Sequence, residues 1–196
     1  MKLIISAMQS EIKDIIPIIQ QDTHLVVTGV GKVNAAMKLA EIIQKESIEV
    51  IINLGFAGAS GDYQVGDVVL IDDARYHDFD LTMFGYQKGQ VPGNPPSFVS
   101  DNSWYNHIMH KIPDLKTGHL LTGDCFMTQI SEGNYIYDME GAAFYQVALH
   151  YHIPIISIKV VSDVIGMDKH LESYQSFEEQ KGSHLLSNVY QTLFGG

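Results

Sequence analysis

The 196-residue chain has one arginine, Arg75, one cysteine, Cys125, and no apolar run long enough to cross a bilayer. Each shortage excludes something. A lone arginine cannot build a guanidinium clamp for phosphate or carboxylate within one chain. A lone cysteine forms no internal disulfide and fits a reducing compartment. The opening "MKLIISAMQSE" reaches Glu11 after a brief apolar run, so it reads as a strand and not as a signal peptide. The expectation is a soluble, cytoplasmic protein with no membrane partner. Basic residues are scarce too, 12 against 23 acidic ones, for a formal net charge of −11. Nucleic acid, which rewards basic patches, is therefore not an expected partner.

What is present suits one compact domain over residues 1–196: 45% of residues are hydrophobic and 18% charged. Short apolar runs recur at 2–8, 24–30, 50–56, 67–73, 118–124, 135–139 and 154–162. Most are rich in Ile and Val without alternation, as strands covered on both faces should be. Between them lies helical spacing. "KVNAAMKLAEIIQK" (32–45) puts Val33, Ala36, Met37, Ala40 and Ile43 on one stripe. Residues 141–151 and 177–194 also read as helices, the second weakened by Gly182. Strands alternating with helices predict an α/β fold, a three-layer αβα sandwich around a mostly parallel, twisted sheet. The aperiodic stretch 76–98, rich in Gly, Pro and aromatics, reads as a functional or interface loop.

Ligands of open α/β sheets collect at the carboxyl ends of strands. Glu11, Asp124, Glu140 and Asp163 all follow or end predicted strands, which puts four carboxylates on one rim. Singly, each has an ordinary explanation as a helix cap. As a set with few cations to pair with, they point to chemistry. Other signals are weaker. "GVGKVN" (29–34) lacks the third glycine of a dinucleotide fingerprint and the spacing of a phosphate loop. "GFAGASG" (55–61) suits either a close approach of backbone to ligand or a plain turn. His107 and His110 are helix-spaced, and His150 and His152 flank Tyr151, but nothing completes a metal set. Cys125, beside Asp124 at a strand end, has the position of a thiol nucleophile, but with no assigned histidine partner the better reading is a small buried residue.

Taken in order, "AMQSEI" (7–12), "GVGKVNAA" (29–36), "VIINLGFAGA" (50–59), the stretch 65–93, "TGDCFM" (122–127), "YDMEGAA" (137–143) and "VVSDV" (160–164) resemble one family. It is the methylthioadenosine/S-adenosylhomocysteine nucleosidases of the nucleoside phosphorylase superfamily. The resemblance implies hydrolysis of an adenine nucleoside by water, with no cofactor and no metal, in a homodimer. It implies that Glu11 is the general base and that Asp163 protonates N7 of the leaving adenine. Glu140 would hold the ribose hydroxyls, with Met139 against the sugar. Ala57, Gly58, Phe126, Met127 and Ser162 would surround the base. Val30 and Tyr174 would face the 5′ substituent, and Phe84 and Pro92 would close the pocket of the neighbouring subunit. The acid that protonates adenine must differ in pKa from the base, so the surroundings of Asp163 are expected to favour a retained proton.

The chain departs from the family at four points. It runs almost directly from a first helix ending near Gln20 into the second strand, and it lacks most of a connecting helix between Met127 and Tyr135. Phe56 stands where a small polar residue is usual and is expected to intrude near the base, and Lys159 stands where arginine is common. Asp138 is read as secondary support or a structural acid. The rival readings are a purine nucleoside phosphorylase and a degenerate, non-catalytic nucleoside-binding homologue.

Overall fold

A computed structural model describes residues 1–129, 132–167 and 170–195; the side chains of residues 170, 171 and 180 lie outside the description. The strands are β1 (Lys2–Ser6), β2 (Thr23–Val27), β3 (Val50–Ala59), β4 (Val68–Tyr76), β5 (Phe98–Val99), β6 (Lys116–Thr122), β7 (Tyr135–Asp138) and β8 (Ile155–Val164). The helices are α1 (Gln9–Ile12), α2 (Lys32–Ile43), α3 (Asn102–Lys111), α4 (Gly141–Tyr151), α5 (His170–Gln180) and α6 (Gly182–Phe194).

Side chains on successive residues of a strand point to opposite faces. Leu3, Ile5 and Ile51 accordingly join Leu39 of α2 and Phe144 of α4 in one core. Ile4, Ile52 and Leu54 join Ile12 of α1, Ile108 of α3, and Leu186 and Tyr190 of α6 in the other. The expected αβα layering follows from these two cores, and the unbroken apolar runs exist because both faces are covered.

Strands β2, β1, β3 and β8 are parallel in that order, and β4, β6 and β7 form a second parallel set. The sets join antiparallel, β8 to β4 and, through Gly58–Tyr137 and Ala59–Ile136, β3 to β7. The sheet therefore curls until it closes on itself. This brings the ends of β3, β7 and β8 to one place, which no local sequence pattern reports.

Four local expectations differ from the structure. On α2, the residues that face the core are Ala35, Leu39 and Ile42, while Val33 and Met37 are each 67% exposed. The helix carries two apolar stripes, and the wider one is not the one the sheet uses. Residues 177–194 form parts of two helices, not one, broken at Lys181 and Gly182. A Cβ at Gly182 would sit 2.3 Å from the tip of the Phe56 ring, and that ring meets Phe177 edge-on at 5.4 Å. Phe56 thus fills the space under the helix break, and it also forms part of the wall of the cleft described below. The first helix is a single turn followed by a 3₁₀ turn at Ile16–Ile18. Helix α3 was not expected; Asp101 caps it, accepting from the amides of Ser103 and Trp104 at 3.0 Å.

Gly182→Ala should destabilise the protein by about 1–3 kcal/mol in urea denaturation, because overpacking against Phe56 outweighs the gain in helix propensity. Adding Phe56→Leu should recover part of the loss; strictly additive effects would show that the two residues do not compete for space.

Candidate active site

A cleft opens where β3, β7 and β8 end. Its walls include Glu11, Val30, Ala57, Gly58, Phe126, Met127, Met139, Glu140, Ser162, Asp163 and Tyr174. The structure therefore gathers eleven of the thirteen anticipated residues. Phe84 and Pro92 are exposed on the long loop and do not line the cleft of their own chain. Asp124 also stays out: it accepts from the Lys32 amide at 3.0 Å and pairs with the Lys32 ammonium at 3.4 Å, tying its loop to α2. Cys125 is exposed at the cleft and not buried as expected. Ala7, Met8 and Tyr137 line it as well, as do Phe56 and Asp138; the first three lie inside the motifs that carry the resemblance but are given no role by it.

Glu11 is buried, and three donors fix it. The amides of Met8 and Phe56 each donate to it at 2.8 Å, and the Ser6 hydroxyl does so at 2.7 Å. Burial pushes its carboxyl above the ordinary range, while the nearby Lys159 charge and these donors oppose the rise. The chain leaves room by having no side chain at Gly55, where a Cβ would lie 2.8 Å from Glu11 Oε1 and 3.3 Å from Lys159 Nζ.

Glu140 precedes α4 but its carboxylate reaches the start of α2, accepting from the Gly31 amide at 2.7 Å. Gly31 has φ of +96°, a conformation open to glycine. In "GVGKVN", Gly31 thus serves a carboxylate. Burial first and the Asp138 charge second push Glu140 up to about 7, against the pull of the Gly31 amide and Lys159.

Asp163 owes its placement to a register slip. Ala57 pairs with Val161 but Gly58 pairs with Asp163, so one extra residue of β8 bulges between them. Ser162 donates to Asp163 Oδ1 at 2.5 Å, and the Ala57 carbonyl lies 3.1 Å from the same hydroxyl. Gly58 again supplies room, since a Cβ there would stand 3.1 Å from Asp163 Oδ2.

Asp138 stands at the cleft wall and is tied into the scaffold around it. It forms a buried ion pair with Lys159 at 2.8 Å, accepts from Thr122 at 2.6 Å, and accepts from the Gly141 amide at the start of α4 at 2.9 Å. Among the described residues no Lys or Arg lines the cleft. Arg75 lies over the Tyr135 ring at 5.6 Å. Across the mouth, Phe126 and Tyr174 meet edge-on with ring centres 5.7 Å apart. Burial and the surrounding acids push the Tyr174 phenol up, so it remains a neutral hydroxyl.

An acid-lined cleft on a closed α/β sheet has counterparts among known proteins. Residues 15–191 match the family profile of the phosphorylase superfamily, and the chain belongs to that superfamily. Within it the chain falls among the 5′-methylthioadenosine/S-adenosylhomocysteine nucleosidases. The Bacillus cereus nucleosidase of that name is 35% identical over 184 residues, covering 86% of this chain and 79% of its own. A Borrelia burgdorferi structure described as such a nucleosidase, bound to adenine, aligns with a TM-score of 0.92 and 30% identity, covering 100% of this chain and 99% of its own. The Streptococcus pneumoniae nucleosidase with a transition-state inhibitor aligns at 0.88 and 26% identity, covering 98% of each chain.

Gly55→Ala should lower kcat on the order of 10²-fold, since it displaces Glu11 by a fraction of a bond length in a site that depends on position. The measurement is steady-state turnover beside urea denaturation; a loss of stability with kcat intact would mean that Glu11 need not sit where it does.

Proposed function

We propose that the protein hydrolyses the N-glycosidic bond of an adenine nucleoside of the methylthioadenosine or S-adenosylhomocysteine type, releasing adenine. The observation that carries this reading is the convergence of Glu11, Glu140 and Asp163 on one cleft that no cationic side chain lines among the described residues.

Breaking the bond leaves positive character on the sugar and negative charge on the departing base. Glu11 takes a proton from water as the water oxygen bonds to C1′, and Asp163 gives a proton to N7 as the C1′–N9 bond breaks. Glu140 accepts the ribose hydroxyls and Met139 packs on the sugar. Phe126 stacks on the base, the Met127 backbone reads its edge, and Ala57 and Gly58 form the floor. Ser162 orients Asp163. Val30 and Tyr174 meet the 5′ substituent. An attacking phosphate would enter among carboxylates with no arginine to receive it, which favours water.

The same proposal includes a homodimer. Val33, Ala36, Met37 and Ala40 of α2 form an apolar groove with Val147 and Tyr151 of α4. On the loop, Met83 and Phe84 are 95% and 75% exposed. Exposed apolar surface of this kind suits burial against a second copy. There Phe84 and Pro92 would complete the partner's 5′ pocket. A cytoplasmic location belongs with this reading, supported by the free Cys125 thiol.

Wild-type protein should release adenine from methylthioadenosine in phosphate-free buffer, and Asp163→Asn should slow release about 10²–10⁴-fold while leaving the fold intact. Absolute dependence on phosphate would overturn the assignment. Met37→Glu should give monomers in sedimentation velocity and raise KM; an unchanged dimer would move the interface elsewhere.

A further inference from the structure

Four buried ionisable groups meet at the cleft: Glu11, Asp138 and Glu140 in its wall and Lys159 behind them. One cation faces three carboxylates. Geometry gives the cation to one of them, because Lys159 Nζ pairs with Asp138 at 2.8 Å. Glu11 and Glu140 are left with neutral donors, the amides of Phe56, Met8 and Gly31 and the hydroxyl of Ser6.

We propose that Asp138 and Lys159 form a charge-setting pair: by holding the ammonium, Asp138 withholds it from Glu140, which carries a proton in the empty site and releases it when ribose binds. Asp138 is a positioning residue in this scheme, acting on substrate only through Glu140. The idea rests on the ribose-holding role given to Glu140 above and adds to it a proton balance. A carboxylic acid has one lone proton to donate and fewer sites to accept two hydroxyls, so tight ribose binding needs the ionised form. Burying three ionised carboxylates against one ammonium is costly, and retaining one proton relieves it.

The surroundings of the pair favour the same distribution of charge. Lys159 on β8 is pulled down by burial, yet Asp138, Glu11 and Glu140 together hold it above its ordinary value, so it stays charged. Glu140 lies near neutrality for the reasons given above, with Asp138 the largest charge raising it and the Glu11 charge adding to the rise. The other titratable groups that sense Asp138 are Tyr76 and His77 at the end of β4 and Tyr145 on α4. Burial keeps both phenols neutral and lowers His77, so none of them supplies a second full charge. Tyr174 on α5 senses Glu140 and Glu11 and is likewise neutral.

Carboxyl ¹³C NMR of the whole protein tests the pair without turnover, with Glu140→Gln assigning the signal and separating it from His77. The Glu140 midpoint should lie near 7 in wild type. It should fall by about one pH unit or more in Asp138→Asn, return toward the wild-type value in Asp138→Glu, and rise in Lys159→Gln. Either charge-removing variant suffices if the other fails to fold. A wild-type midpoint near the ordinary value of about 4.3, or one that stays put in a folded variant, overturns the proposal. Under the nucleosidase reading, KM should rise about tenfold per pH unit below the midpoint while kcat changes less. The KM limb should then move to lower pH in Asp138→Asn. A limb that stays while the midpoint moves overturns the link to ribose binding. Wild-type protein that releases no adenine at any pH defeats the proposed function, and the NMR midpoints still decide the pair.

Discussion

An ammonium group inside a sheet constrains everything near it. Lys159 lies in the middle of β8 with its side chain 3% exposed, where an unpaired charge would cost several kcal/mol. Its partner must come from another strand, and Asp138 supplies it at the end of β7. That pairing is possible because the sheet closes: β7 meets β3 at Gly58 and Ala59, and β3 runs beside β8. An open sheet with the same strands would leave β7 far from β8. The ion pair and the closure therefore depend on each other, and the cleft lies where they meet.

The same region explains why so many small residues occur at the end of β3. Gly55 stands clear of Glu11 and Lys159, and Gly58 stands clear of Asp163. Glycine weakens a strand, and its presence at two sites in one strand is best understood as space given to carboxylates. Backbone amides do the rest. Phe56 N–H serves Glu11 and Gly31 N–H serves Glu140, so two acids are fixed by dipoles that carry no net charge. Fixing an acid this way holds its position while leaving its proton adjustable.

Much of the fold was legible in the chain. Each apolar run expected as a strand became one, because coverage on both faces leaves a continuous Ile and Val signature. Strand β3 extended past Phe56 to Ala59, since Ala57 and Gly58 have little intrinsic strand preference and gave no signal. Helix α3 was missed, although Asp101 followed by Trp104, Tyr105, Ile108 and Met109 has both a cap and a helical spacing. The stripe on α2 was read correctly as apolar and wrongly as buried, because periodicity cannot distinguish a core from an exposed groove. At the site, Glu11, Glu140 and Asp163 stood at strand ends, where position alone drew notice. The Asp138–Lys159 pair and the 57–58 bulge were invisible, for both are relations between strands that the order of residues does not encode.

The scarcity of arginine acquires its meaning here. A guanidinium in place of Lys159 would present a planar fork of donors able to engage two carboxylates at once. Lysine is a point charge, and with Asp138 at 2.8 Å its strongest interaction is already committed. The acids facing the cleft consequently keep affinities for protons that lie above those of ordinary carboxylates at Glu11 and Glu140. Such a charge distribution disfavours a phosphate nucleophile and suits hydroxyl groups and water. Hydrolysis needs no more from the charge distribution than that, and phosphorolysis needs its opposite.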